Sequence, residues 1–142
     1  MILRCLATGM VVLALLANSS CTQTPQILAY NNADEGLVVV LKTKQVAMGP
    51  SDLVQIEAMN SYFVLLMGGQ RRFCYWMPEI PPAYWKFTFL GYAEIHVQIE
   101  ADGLIYLIKP DVSLPAADLS GQPAGFPLMR SMGSDQEACY PS

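Results

Sequence analysis

The sequence predicts an all-β fold, a small antiparallel β-sandwich of about seven strands behind a cleaved N-terminal signal helix. Three observations predict it. From Ala93 to Glu100 the residues alternate strictly, with Ile95, Val97 and Ile99 on one face and Glu94, His96, Gln98 and Glu100 on the other. That is the period of a half-buried strand. Runs of β-branched and aromatic residues of strand length recur elsewhere, punctuated by Gly and Pro. No stretch beyond the leader sustains the i, i+3, i+4 apolar spacing of a surface helix.

In order, residues 1–20 read as a signal peptide. Met1 to Arg4 carries one positive charge, and Cys5 to Ala17 is apolar apart from Thr8 and Gly9. As a helix this run would span about 20 Å, short of the roughly 30 Å of a hydrocarbon core. Residues 21–36 read as a lipidated cysteine and a polar tether: Leu16-Ala17-Asn18-Ser19-Ser20-Cys21 resembles the lipobox of bacterial lipoproteins, and Thr22 to Gln26 is polar. Asn18 stands where that pattern usually has an aliphatic residue, so plain cleavage after Ala17 or Ser19 is the competing expectation.

Residues 37–109 read as the sandwich. Leu37 to Leu41 is a β-branched strand, and Met48 to Asp52 is turn chemistry. Leu53 to Met59 alternates loosely. Tyr62 to Met67 and Gln70 to Met77 flank a Gly68-Gly69 turn. Pro78 to Ala83 is a loop, since three prolines remove three ladder donors. Tyr84 to Phe89 alternates, with Trp85, Phe87 and Phe89 sharing a face. Asp102-Gly103 turns the final hairpin, because Gly accepts the positive φ that a tight turn needs. Its second arm, Leu104 to Lys109, is apolar on both faces, as an inner strand would be. Residues 110–142 read as a Pro-rich covering segment and tail, with Phe126 to Met129 docking on the core.

The 142 residues carry a net charge of −4, and loss of Arg4 with the leader makes it −5. Arg71-Arg72 is the one basic pair, so the clustered basic surface that nucleic acid requires is missing and nucleic acid is excluded as a partner. Cys5 leaves with the leader. With Cys21 lipidated, Cys74 and Cys139 remain, in an oxidising compartment if the chain is exported. A bridge between them would close a loop of some 65 residues and contribute on the order of 4 kcal/mol. Two separate thiols are the alternative.

Several of these pieces, in this order, resemble a family of small bacterial envelope lipoproteins with a prealbumin-like β-sandwich domain of unknown function. The residues that carry the resemblance are Val38-Val39-Val40-Leu41-Lys42, Asn60-Ser61-Tyr62-Phe63-Val64-Leu65, Gly69-Gln70-Arg71-Arg72-Phe73-Cys74 and the hairpin Ile95 to Leu107. It implies a β-sandwich in the bacterial envelope and brings no catalytic residues; by resemblance to bacterial sorting rules, Thr22 after Cys21 points to the outer membrane, facing the periplasm.

The residues themselves assemble no chemistry. His96 is the single histidine, expected on the exposed face of its strand, where one carboxylate neighbour makes a thin metal site. The cysteines lack C-x-x-C spacing, no serine lies in a Gly-x-Ser-x-Gly elbow, and no Gly loop is followed by a phosphate-binding Lys and helix. No catalytic residue, metal ligand or cofactor is therefore expected. The aromatic region from Tyr75 to Tyr92 is the place for a contact surface, with Trp76, Ile80, Tyr84, Lys86 and Tyr92 as its candidates for an envelope protein or glycan. A hydrophobic plug is the alternative use of the same residues. The functional expectation is a non-catalytic envelope lipoprotein, a binding or structural module held to the membrane by its lipid. The alternatives are a secreted or periplasmic enzyme using the His96 face, and an adaptor subunit of an envelope complex docking through the aromatic region.

Overall fold

The alternating stretch predicted from Ala93 onward is a strand, and it lies in the middle of the larger of two sheets. The computed structural model describes residues 25–57, 62–89 and 91–129. Among these the strands are β1 (Gln26–Asn31), β2 (Leu37–Val40), β3 (Gln45–Met48), β4 (Leu53–Glu57), β5 (Tyr62–Met67), β6 (Arg71–Trp76), β7 (Trp85–Phe87), β8 (Ala93–Ile99) and β9 (Ile105–Ile108). One sheet has the order β4-β1-β8, and the far edge of β8 is shared end to end by β7 and β9. The other runs β3-β2-β5-β6 and is wholly antiparallel. The fold is a small β-sandwich, as the sequence predicts. No helix among the described residues is long and apolar enough to cross a membrane.

Alternation fills the space between the sheets. Ile95, Val97 and Ile99 of β8 face Phe63, Leu65 and Met67 of β5 in one buried cluster. Phe63 stacks on Tyr75, with ring centroids 5.1 Å apart. β5 is apolar on its other face as well: Val64, across from Cys74, forms a small second cluster with Val40, Tyr62 and Leu66 on the outside of its sheet.

The structure corrects three sequence expectations. First, the sandwich begins at Gln26, and the expected tether and polar entry hold a strand. β1 lies between β4 and β8, antiparallel to one and parallel to the other, with Ile27 and Ala29 buried. The third inward position of β1 is Asn31, which breaks the apolar alternation. It is fully buried and fully occupied: its Nδ2 donates to the Glu35 and Gly49 carbonyls, both at 2.9 Å, and its Oδ1 accepts from the Ala33 N–H. Second, β3 stands where the sequence suggests a connection. It is an edge strand with Met48 alone fully buried, so its pattern is faint. Third, β8 is the inner strand of the last hairpin and β9 borders the sheet. β9 is apolar on both faces because the chain beyond it folds back over it.

That returning segment closes the free edge of β9 with unequal means. Leu128 exchanges two backbone hydrogen bonds with Ile105. Two residues along, the Gln122 side chain takes the place of a strand: its Oε1 accepts from the Leu107 N–H at 2.8 Å and its Nε2 donates to the Leu107 carbonyl at 3.1 Å. Gln98 does the same on the outer face of β8, accepting from the Ala116 N–H at 2.7 Å and donating to the Ala116 carbonyl at 3.3 Å. An amide side chain carries one donor pair and one acceptor, so it can satisfy both backbone groups of a single residue. Phe126 and Leu128 are thereby held in the core.

The Asp102-Gly103 turn forms as predicted. Gly103 has φ +83°, its N–H donates to the Glu100 carbonyl, and Asp102 Oδ1 accepts from the Leu104 N–H. The turn is also packed. The Tyr75 hydroxyl donates to the Gly103 carbonyl at 2.5 Å, and a Cβ on Gly103 would meet Phe73 and Tyr75 at 3.2 Å.

Two substitutions test this account in the full chain by urea unfolding. Gln98→Leu strands both backbone groups of Ala116 and should cost about 2–4 kcal/mol; a loss under about 0.5 kcal/mol would mean that water serves Ala116 equally well. Gly103→Ala meets both a left-handed backbone and a filled site, and should cost about 2–3 kcal/mol. A neutral result there would show that the turn relaxes freely.

Candidate functional site

The Pro loop and the hairpin after it form one end of the sandwich. Pro78, Pro81 and Pro82 keep residues 77–81 out of any ladder, and Pro82 opens a single 3-10 turn to Tyr84. That turn swings Tyr84 inward, where it joins the core. Met77 and Ile80 pack against the same core, and the Trp85 indole N–H donates to the Ile80 carbonyl at 3.1 Å. A groove of about 400 Å3 remains between the loop and the sheet, lined by Pro25, Met77, Pro78, Ile80, Trp85 and neighbours.

β7 then pairs with the start of β8, with Thr88 and Tyr92 facing each other across the connection. The turn is built tightly. The Thr88 N–H donates to the Tyr92 carbonyl at 2.8 Å, the Tyr92 N–H donates to Thr88 Oγ1 at 3.1 Å, and the Gly91 N–H donates to the Thr88 carbonyl at 2.9 Å. Gly91 has φ +82°, a conformation that glycine takes without strain. On this frame Phe89 is completely exposed, Phe87 is 74 % exposed and Tyr92 is 46 % exposed.

Register fixes which end this is. Gln26, the first residue of β1, lies between Glu94 and Glu57, while Phe87 pairs with Ala93. The chain therefore enters the sandwich beside the aromatic turn. The turn between β2 and β3 reaches the same end, since Lys44 lies 3.9 Å from Glu57. Lys86 lies 3.9 Å from Glu94. The opposite end is acidic: Asp34, Glu35, Asp52, Glu100 and Asp102 surround Asn31 and the last hairpin turn, with Arg71 paired to Glu35.

The structure divides the sequence-predicted surface. Trp76 is exposed on the outer side of β6, packed at 5.5 Å and a tilt of 58° on Tyr62. Lys86 and Tyr92 are exposed as expected. Tyr84 belongs to the core and Ile80 is half-buried against it, so neither is a free contact residue. Conversely, Trp85, Phe87 and Phe89 do not form a buried stripe. Trp85 is half-buried, whereas Phe87 and Phe89 run past the end of the core. A three-residue strand cannot hold its alternation beyond the sheet that covers it.

His96 is also corrected. It is buried at 6 % exposure, because β8 is covered on its outer face as well as its inner one. Leu28 and Ile108 flank it by register. Its Nε2 lies 2.6 Å from Glu94 Oε1, and its Nδ1 has no hydrogen-bond partner among the described residues. Cys74 is buried in β6. Cys21 and Cys139 lie outside the described residues, as does the whole leader. No group of three or more His, Cys, Asp or Glu side chains that could hold a metal occurs among the described residues.

A cleft of about 260 Å3 beside the covering segment is lined by Tyr84, Lys109, Asp118 and Gln122 among others. The Ser120 hydroxyl and N–H beside Asp118 hold its carboxyl below the usual carboxylate range. No protein-family model, curated protein or solved structure gives a significant match to this chain.

The two classes of aromatic separate experimentally. Tyr84→Ala should cost about 3–5 kcal/mol in urea unfolding, as for other buried aromatics. Phe89→Ser should change stability by less than about 0.5 kcal/mol, since nothing is uncovered. Equal effects would refute the division between plug and surface drawn here.

Proposed function

We propose that this chain is a non-catalytic envelope lipoprotein, anchored through acylated Cys21, whose β-sandwich acts as a binding or structural module at the outer membrane, facing the periplasm. The observation that carries the reading is the short distance between the lipobox-like residues and the fold. Cys21 is separated from β1 by Thr22 to Pro25 alone, so an acylated Cys21 would hold the sandwich against the leaflet by one defined end. The resemblance to envelope lipoproteins with a sandwich domain supports it, and so does the use of interior polar groups. Asn31, Gln98 and Gln122 are engaged in backbone hydrogen bonds that hold the fold.

Pairing of Cys74 with Cys139 belongs to the same reading. Cys74 sits among Val64 and its neighbours on the outer face of the second sheet, and a bridge there would fasten the chain's last residues to the domain. The adaptor reading also has an observation in its favour, the groove under Met77 to Ile80 beside exposed Trp76. The enzyme reading depends on His96, whose burial keeps large substrates from it.

The anchored reading is tested on the full chain expressed in a Gram-negative host. The membrane-extracted protein should have an intact mass that begins at Cys21 and includes acyl chains, and two hydrogens fewer when Cys74 and Cys139 are joined. Cys21→Ser should move it from the membrane fraction to the soluble one. A wild-type mass beginning at Asn18 or Ser20 with no added lipid would overturn the proposal.

A further inference from the structure

We propose that the aromatic tip between β7 and β8 is a membrane-contact element: Phe89, with Phe87 and Tyr92 behind it, enters the interface of the leaflet that holds the acyl chains of Cys21. The inference rests on the anchored reading above and names the partner of the aromatic end.

Three observations carry it. The first is geometric. The described chain begins at Pro25, and Gln26 pairs with Glu94, one residue from the Ala93–Phe87 pair that opens the hairpin. From Cys21 to Gln26 the chain can extend at most about 17 Å. Phe89 lies two residues beyond Phe87, which is itself one residue beyond the level of Gln26, so the tip projects by up to about 10 Å past the point where β1 begins. An acylated Cys21 therefore lets the tip reach the headgroup and acyl boundary, which apolar side chains enter by about 5–10 Å.

The second is exposure on a hydrogen-bonded frame. Phe89 is fully solvent-exposed and Phe87 is 74 % exposed, yet the turn that presents them is closed by two backbone–backbone hydrogen bonds and by two more through the Thr88 hydroxyl. Aromatic side chains on a preformed turn lose little further freedom on entering an interface. Tyr92 adds an apolar ring with a polar tip, the chemistry favoured at headgroup level.

The third is charge. At this end Lys44 and Lys86 stand against Glu57 and Glu94, Glu79 lies in the groove, and exposed Lys42 shares the turn of Lys44. The opposite end carries Asp34, Glu35, Asp52, Glu100 and Asp102 against Arg71. A negatively charged leaflet repels the acidic end and accepts the near-neutral one, so charge and tether select the same orientation.

The test uses the full, membrane-extracted chain reconstituted into vesicles of phosphatidylethanolamine and phosphatidylglycerol. A spin label is placed at Phe89→Cys, and at Ala101→Cys in the turn of the opposite end as a control. The unsubstituted chain carried through the same labelling supplies the background. The ratio of oxygen to aqueous nickel accessibility should be several-fold higher at position 89 than at position 101, and adding Phe87→Ser and Tyr92→Ser to the chain labelled at Phe89→Cys should leave the protein on the vesicles with its fold intact while lowering that ratio several-fold. Equal ratios at 89 and 101 overturn the inference. Protection at 89 from both reagents marks contact between protein copies, and overturns it too. Intact mass of the same sample keeps the two proposals apart: an acylated chain with a water-exposed tip sinks the tip alone, and a mass lacking acyl chains removes the anchor and the tip together.

Discussion

The sandwich depends on amide side chains standing in for missing strands. A β-sheet must end somewhere, and its last strand presents unpaired N–H and C=O groups that would otherwise cost stability or recruit another chain. Here the edge of β9 is answered by Leu128 at one residue and by Gln122 at another. Gln98 fixes the same returning segment from the outer face through Ala116. Asn31 plays the matching part at the acidic end, drawing the connection after β1 and the turn after β3 onto one buried amide. None of these contacts is strong by itself. Each is expensive to lose, because its partners are backbone groups that are buried or partly buried.

This arrangement decides where the molecule has freedom to interact. The segment that closes the β9 edge also places Phe126 and Leu128 in the core and Ala116 against Gln98 on the outer face of β8. His96 and Gln98 are both buried in a nominally two-layered fold. The acidic end is tied by Asn31 and by the Tyr75 hydroxyl on Gly103. What stays open is the end where the chain enters: a groove under a proline loop and a turn bearing exposed aromatics. Phenylalanine at such a place is costly to solubility. The proposed bilayer contact gives it a use that a purely structural reading does not.

The sequence made the class and most strands legible because those depend on local periodicity. Leu37 to Val40, Tyr62 to Met67 and Ala93 to Ile99 show it directly, and Asp102-Gly103 announces its turn. β1 escaped because Asn31 occupies an inward position, and a buried amide cannot be told from a surface one without its partners. β3 escaped because an edge strand needs few buried residues. His96 and Gln98 were legible as the polar face of a strand but not as buried, since burial there depends on distant chain, such as Ala116 against Gln98 eighteen residues on. Tyr84 and Phe89 exchanged roles for a similar reason. Alternation from Tyr84 to Phe89 gives parity, but parity says nothing about where the opposing sheet stops or how a 3-10 turn rotates the residue ahead of the strand. Cys21 and Cys139 remain matters of sequence alone.

Placing the anchor ahead of β1 has a mechanical consequence under the proposed reading. β1 is no frayed terminal edge: it is paired along its length with β4 on one side and β8 on the other. A load applied at Pro25 along the strand acts on both ladders at once, in shear, so the domain follows its tether as a unit. Because β8 runs parallel to β1, the hairpin tip that precedes β8 projects in the direction from which the tether arrives. An antiparallel β1–β8 pair in the same sheet would have carried the aromatic turn to the other end, beside the acids. The orientation of one strand pair thus sets whether anchor and aromatic tip can meet the same surface.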